Sequence, residues 1–256
     1  MVLLVVVAAV PQMFTTYDPV QINPGIRLEG PSHAHVFGTD HLGRDLFARV
    51  VFGTRTSLGT SALVVLFAAL IGVTVGSLAG YGGGLVDEAL MRVVDLSLAF
   101  PLLVLAMAIV AALGPGLRNA MLALIFVWWS QYARLARGLV LQVREREFVT
   151  AARALGASGV TILYRHILPN CFPPLLVKAT LDIAVAVLVT ASLSFLGLGV
   201  LPPDPDWGGM VSNGRTFILD AWWYPTFPGL AIFVTVMALN LVGDTIRDIL
   251  DPRIRE

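Results

Sequence analysis

Long uncharged runs of membrane length limit this chain to very few folds. Thr56 to Val86 contains no Asp, Glu, Lys or Arg, and neither do Leu96 to Leu117, Ile183 to Pro203 and Ala221 to Gly243. A helix crossing the hydrocarbon core needs about 20 mainly apolar residues. Inside lipid each backbone N–H and C=O must find a partner within the protein, so only helices and closed barrels cross. A barrel would need short alternating segments, and these runs do not alternate. Asn119 to Ala133 is shorter, but its helix can continue past Arg134 and Arg137, whose long stems reach water. Met1 to Tyr17 is also uncharged and supplies a further segment. Pro11-Gln12-Met13-Phe14 is a poor cleavage site, which favours a spanning helix there over a signal peptide. No basic residues lead into it, so its upstream end is expected to lie before Met1. The expectation is an all-α integral membrane protein with about six transmembrane helices.

Composition agrees and removes other classes. Hydrophobic residues make up 57% and charged ones 13%, against about 25% charged in soluble domains. The formal net charge is zero, and no pattern of a nucleic-acid module occurs, so nucleic acid is not an expected partner. The single cysteine, Cys171, rules out an internal disulfide and a cysteine metal cluster. It is read as a small apolar residue. The histidines His33, His35, His41 and His166 lack the paired helical spacing of a metal site. A phosphate-binding loop needs Gly-Lys-Ser/Thr, and the only lysine, Lys178, follows Val177. The chain is not expected to hydrolyse ATP or to bind a cofactor of its own.

Arginine placement sets the orientation. Arg134, Arg137, Arg144, Arg146, Arg153, Arg165 and Lys178 crowd one connection, which the positive-inside rule places in the cytoplasm. Counting spans outward from it puts both chain ends in the cytoplasm. Thr15 to Arg55 and Gly199 to Tyr224 then lie outside. The chain reads as one domain over 1–256. Residues 1–17 are a first span, 18–55 an outer segment with an elbow helix starting near Leu42, and 56–256 a core with a cytoplasmic loop at 138–172. Tyr81-Gly82-Gly83-Gly84 marks a cytoplasmic turn. Asp87 to Asp95 is an amphipathic lead-in to a span that Pro101 bends or restarts. Ala68, Gly72, Gly76 and Gly80 share one helix face, a small surface suited to close packing within the chain.

The cytoplasmic loop has its own structure. Phe148, Ala151, Ala152 and Leu155 form an apolar stripe at helical spacing, and such a stripe must be covered by something. Glu147 stands in the first turn, where the helix dipole favours a carboxylate. Gly156 lets the helix end, and Ser158 can cap a second short helix. Leu168-Pro169 is expected to stop that second piece. The whole is a knob between two spans.

Thr150-Ala151-Ala152-x3-Gly156, followed by Leu168-Pro169, resembles the EAA loop of ABC importer permeases, with Thr150 at the family's glutamate and His166 displacing an isoleucine. A narrower match is to the C-type subunit of the peptide/nickel (dipeptide and oligopeptide) permeases. It rests on Glu147 to Ser158 with Arg165 to Asn170, on Gly38-Thr39-Asp40-His41-Leu42-Gly43-Arg44-Asp45, and on Leu193 to Gly199 with Pro202-Pro203 and Trp207-Gly208. Asn240-Leu241-Val242-Gly243-Asp244, continuing to Asp251-Pro252-Arg253, completes it. The resemblance implies the type I importer permease fold in the plasma membrane. It implies a second homologous permease, two cytoplasmic ATPase subunits carrying ATP and Mg, and an extracytoplasmic solute-binding protein. Glu147, Thr150, Ala151, Ala152, Arg153, Gly156, Leu168 and Pro169 would then couple to the ATPases. The family's substrates include dipeptides, oligopeptides, nickel and other small solutes.

Asp182, Ser194, Phe195 and Asn240 are candidates for the substrate pathway. A rival class is a secondary transporter working through Asp95 and Asp182, because charge within a span is costly and often functional. Asp182 follows Lys178 by one helical turn, so mutual neutralisation is the first reading of that pair. Asp95 is placed at a span's entry. The outer stretch Pro202 to Trp207 is either a contact for the binding protein or an ordinary exposed loop.

Overall fold

The computed structural model describes residues 1–250, and every regular element among them is helical. The uncharged runs become α2 (Leu46–Gly82), α3 (Gly84–Leu98), α4 (Leu102–Leu113), α5 (Leu117–Arg144), α8 (Leu168–Phe195) and α10 (Trp223–Leu250). Ahead of them lies α1 (Val2–Ala9). Between α5 and α8 lie α6 (Glu147–Ala154) and the single turn α7 (Gly159–Thr161), and between α8 and α10 lies α9 (Trp207–Gly214). Length and apolarity qualify α2, the continuous helical stretch Gly159–Phe195 and α10 as spans. The pair α3 and α4, bent by 88°, qualifies as one more. The bend falls at Pro101, as expected. With 28 residues, α5 is about 42 Å long, enough to cross.

In the N-terminal third one expectation is corrected, and the first segment is helical over only part of its uncharged run. The Met1 to Tyr17 run is helical over only eight residues, Val2–Ala9, about 12 Å. Pro11 disfavours helical geometry at the residue before it; Val10 sits at φ −134° and a 3₁₀ turn, Pro11–Met13, follows. Further on, the elbow helix and the second span are one 37-residue helix. It begins at Leu46 because Asp45 caps it, its Oδ1 accepting from the Ala48 N–H at 2.7 Å. Leu42 lies in a turn instead, closed by Gly43 at φ +75°.

The centre of the bundle is the seam between α2 and α5. Ala68, Gly72, Gly76 and Gly80 are buried. A Cβ at Gly72 would collide with the Trp129 carbonyl and Tyr132, and one at Gly76 with the Ala133 carbonyl. At Gly80 it would stand 2.9 Å from the Arg137 carbonyl oxygen. The backbones touch, and Trp128, Tyr132 and Val140 pack into the core beside the seam. Leu63, Leu66, Phe67, Leu70 and Ile71, around the rest of α2, stay exposed, as an apolar lipid-facing stripe would.

A second apolar cluster closes the other end of the bundle, at the start of α2, with Leu46, Val50, Trp207, Met210 and Tyr224 at its heart. The Trp207 indole N–H donates to the Val50 carbonyl at 2.9 Å. The Gly38 to Asp45 signature is a knot beneath this cluster. Asp40, fully buried, accepts from Arg44 Nε at 2.7 Å and from the Leu42 and Arg44 N–H groups. His41 Nδ1 and the Tyr224 hydroxyl hydrogen-bond at 2.8 Å, and the Trp223 indole N–H donates to the Thr39 carbonyl. Asp40→Ala leaves Arg44 buried without its carboxylate. Breaking a buried pair on one side costs about 3–5 kcal/mol. The expected result is a clear loss of thermal stability of the purified permease, read by intrinsic fluorescence on heating. An unchanged midpoint would show the knot to be dispensable.

Candidate functional site

The knob between α5 and α8 is held from within by a few apolar side chains. In α6 it is Val149, between the stripe positions, that is wholly buried. It joins the core that includes Val143, Ile162, Leu163 and Ile167. The expected stripe is not covered by its own bundle. Phe148, Ala151 and Leu155 are exposed, Leu155 to 88%, and only Ala152 is half-buried. The exposed Val160 and Tyr164 extend this outward apolar surface. Of the other knob residues, Glu147, Thr150, Arg153 and Gly156 are exposed too.

The ends of the knob form as anticipated. Glu147 lies in the first turn of α6. Gly156 takes φ +82°, and its N–H reaches the Arg153 carbonyl at 3.0 Å. Ser158 Oγ accepts from the Thr161 N–H. The stop at Leu168-Pro169 does not occur. A π-helical segment, Ile162–Ile167, follows α7 and enters α8 at Leu168 without a break. Pro169 falls in the first turn of α8, where the proline's missing N–H has no helical partner to lose. The knob is therefore continuous with a spanning helix. It also touches α2: a Cβ on Gly159 would stand 3.1 Å from the Tyr81 hydroxyl.

The arginines that mark this side are partly neutralised, by acids far away in sequence. Arg137 makes a two-pronged pair with Asp87 at 2.5 and 2.7 Å. Arg134 meets Asp95 at 2.6 Å with both side chains more than half exposed. Arg144 Nη1 donates to the Gly80 carbonyl at 2.8 Å. Asp95 is thus the partner of an arginine on a neighbouring helix. Only the acidic face of the lead-in helix hinted at these pairings.

The four pathway candidates are dispersed. Asp182 pairs with Lys178 at 2.9 Å, as the i,i+4 spacing anticipated. Lys178 also lies 3.4 Å from Gln131 Oε1 and over the Tyr132 ring, so the pair ties α8 to α5. Asn240 is exposed in an apolar groove between α8 and α10, near Leu188, Phe233 and Asp244. Phe195 lies beneath the Arg215 guanidinium, 5.0 Å from ring centre to Cζ. Ser194, 7% exposed, lines a cavity of about 210 Å³ between α2, α8 and α9.

That cavity was not foreseen. Arg44 and Arg49 from the outer segment and α2, Asp204 and Asp206 from the loop, and Ser212 and Asn213 from α9 also line it. Asp206 caps α9, its Oδ2 accepting from the Gly209 N–H at 2.8 Å. Burial pushes its carboxyl above the usual carboxylate range, and the Gly209 N–H opposes that shift. Pro202-Pro203 is joined by a cis peptide bond, and the Pro203 carbonyl accepts from Arg49 Nη1. The Pro202 to Trp207 stretch is divided: Pro202, Pro203 and Asp204 are exposed, and Pro205, Asp206 and Trp207 are buried. Among the described residues no group of three His, Cys, Asp or Glu could hold a metal. His35 instead contacts Asp45 at 2.8 Å. The Asp251-Pro252-Arg253 part of the C-terminal signature lies outside the described residues.

The relatives agree with this architecture. Residues 72–256 match the family model described as "Binding-protein-dependent transport system inner membrane component". The chain is 50% identical over 238 residues to the "Probable D,D-dipeptide transport system permease protein DdpC" of Escherichia coli (strain K12), covering 93% of this chain and 80% of that one. It is 44% identical over 251 residues to the dipeptide transport system permease protein DppC of Alkalihalophilus pseudofirmus, covering 98% and 83%. It is also 44% identical to the nickel transport system permease protein NikC of Escherichia coli (strain K12), covering 98% and 91%. Among solved structures, a chain of the inward-facing MetNI methionine ABC transporter superposes with a TM-score of 0.64 at 19% identity, covering 79% of this chain and 96% of that one. A chain of an amino acid ABC transporter gives 0.61 at 15% identity, covering 78% and 92%. The likeness to these structures is one of fold: both are helical chains of ABC transporters. The chain belongs to the binding-protein-dependent transport system inner membrane component family and is a non-catalytic permease subunit of an ABC importer.

Proposed function

We propose that this chain is the C-type permease of an ABC importer that brings short peptides across the inner (plasma) membrane. It forms half of the pathway, beside a second homologous permease. Two ATPase subunits, carrying ATP and Mg, dock on the cytoplasmic side, and a solute-binding protein delivers the peptide outside. Both chain ends lie in the cytoplasm. The observation that carries this reading is the uncovered face of α6: Phe148, Ala151 and Leu155 present an apolar surface while Val149, with the half-buried Ala152, anchors the helix. Exposed apolar patches of this kind mark partner contacts.

The mechanism follows from continuity. Closure of the ATPases on ATP moves the surface formed by Glu147, Thr150, Ala151, Ala152, Arg153 and Gly156. The π segment passes that displacement through Leu168 and Pro169 into α8 without an intervening loop. The tight α2–α5 seam makes the bundle move as a body, and the pathway alternates its opening. Val149→Ala removes the inner anchor at about 2 kcal/mol. The expected result is a lower thermal midpoint together with reduced transport. A variant that transports normally and melts at the wild-type temperature would show that Val149 does not hold the knob.

The test of function is uptake into vesicles containing the whole complex. Dipeptide accumulation should require internal ATP and binding protein and should survive collapse of the proton gradient. Loss on adding an ionophore would instead support a secondary transporter using Asp95 and Asp182. Nickel is the second reading, favoured by the 44% identity to a nickel permease. ATP-dependent accumulation of nickel and not of dipeptide would establish it.

A further inference from the structure

We propose that the outer cavity between α2, α8 and α9 binds a small zwitterion, a peptide with free amino and carboxyl ends, as a site within the permease itself. The inference rests on the peptide reading above and extends it to named residues. Arg44, Arg49, Asp204 and Asp206 all line the cavity. A simple cation entering would meet two guanidiniums, and a simple anion two carboxylates. A ligand carrying both charges meets a partner for each.

One group at this site is buried and incompletely used. Arg49 is 4% exposed, and its Nη1 donates to the Pro19 and Pro203 carbonyls at 2.7 and 3.2 Å. Its Nε has no hydrogen-bond partner and stands 3.6 Å from Asp40, whose Oδ2 already accepts from Arg44. Buried polar groups are nearly always paired, and an exception calls for a ligand or water. The volume is about 210 Å³. It lies below the about 300–1,000 Å³ of drug-sized sites, which suits a short peptide. Ser194, at the C-terminal end of α8, places the cavity at the head of a spanning helix. A peptide released by the binding protein would be held there before entering the pathway, its ammonium toward Asp204 and Asp206 and its carboxylate toward Arg44 and Arg49.

The test uses the complete permease–ATPase complex in lipid nanodiscs without binding protein, with radiolabelled dialanine in equilibrium dialysis. Wild type should bind dialanine saturably. Asp206→Asn, which keeps a cap for the Gly209 N–H, should weaken binding about tenfold or more, the loss expected for a charge-assisted hydrogen bond. Asp204→Asn, at an exposed position, should weaken it in the same direction without touching the fold. N-acetyl-dialanine and dialanine amide should each lose about tenfold on wild type. Equal binding by both variants and wild type, or by blocked and free peptides, overturns the site. So does absence of saturable binding by a complex that imports dialanine once the binding protein is added, which would mean that the cavity holds only water. A complex that imports no peptide even with its binding protein overturns the functional reading, and this proposal with it.

Discussion

Gly76→Leu should leave almost no folded permease in the membrane fraction, whereas Gly59→Leu, on the same helix, should express like wild type. Gly76 faces the Ala133 carbonyl, and even a methyl group there overlaps it. Gly59 faces open space, with nothing within 4 Å of the added Cβ. Both substitutions place the same side chain on α2, so helix propensity and hydrophobicity cancel. Inserting bulk into a packed seam typically costs about 1–3 kcal/mol. Here the obstacle is backbone, which cannot rotate away, so the upper end or beyond is expected. Gly72 and Gly80 share the seam, and α2 and α5 would have to separate along it. The check is the yield of monodisperse protein in detergent and its melting temperature. A Gly76→Leu protein that melts within a degree or two of wild type would show the seam to be far softer than its geometry.

Leu155→Asp should produce the opposite phenotype: a folded permease that no longer holds its ATPase. Leu155 is 88% exposed and contributes little to its own bundle. A carboxylate buried in a partner's apolar groove is strongly unfavourable, and central apolar anchors of interfaces typically carry 2 kcal/mol or more. That corresponds to about thirtyfold in affinity. Co-purification of the ATPase should fall accordingly, and ATP-driven uptake with it, while the permease keeps its melting temperature. Retention of full coupling would remove α6 from the interface. Gly156 is a less direct probe. An added Cβ there meets nothing within 4 Å, but φ is +82°. Any larger residue acts first through backbone strain of about 1–2 kcal/mol, and only then through bulk against the partner.

These two contrasts show how much of the molecule was legible in residue order. The small-residue face of α2 could be read directly, because helical periodicity aligns residues 68, 72, 76 and 80 whatever surrounds them. Its partner could not, since the residues of α5 that meet it lie more than 50 positions away. The same holds for the ion pairs Arg137–Asp87 and Arg134–Asp95, which cross between helices. Lys178–Asp182 was legible because both ends lie on one helix turn. The knob was half legible. Its capping residues behave locally and did as expected. Which side of α6 faces inward depended on Val149 finding Val143 and Ile162, and the stripe at helical spacing proved to be the outward side.

By itself the sequence determined the long uncharged helices, the arginine-rich connection between two of them, and the family signatures along the chain. Each depends on neighbours within a few residues or on the bilayer's thickness. Tertiary structure decided what those helices touch. It made the elbow and the second span one continuous helix and ran the knob into α8 through a π turn. It also gathered Arg44, Arg49, Asp204, Asp206 and Ser194 around one cavity. The reason is that charge pairing and close packing act across space, between segments brought together only when the bundle forms.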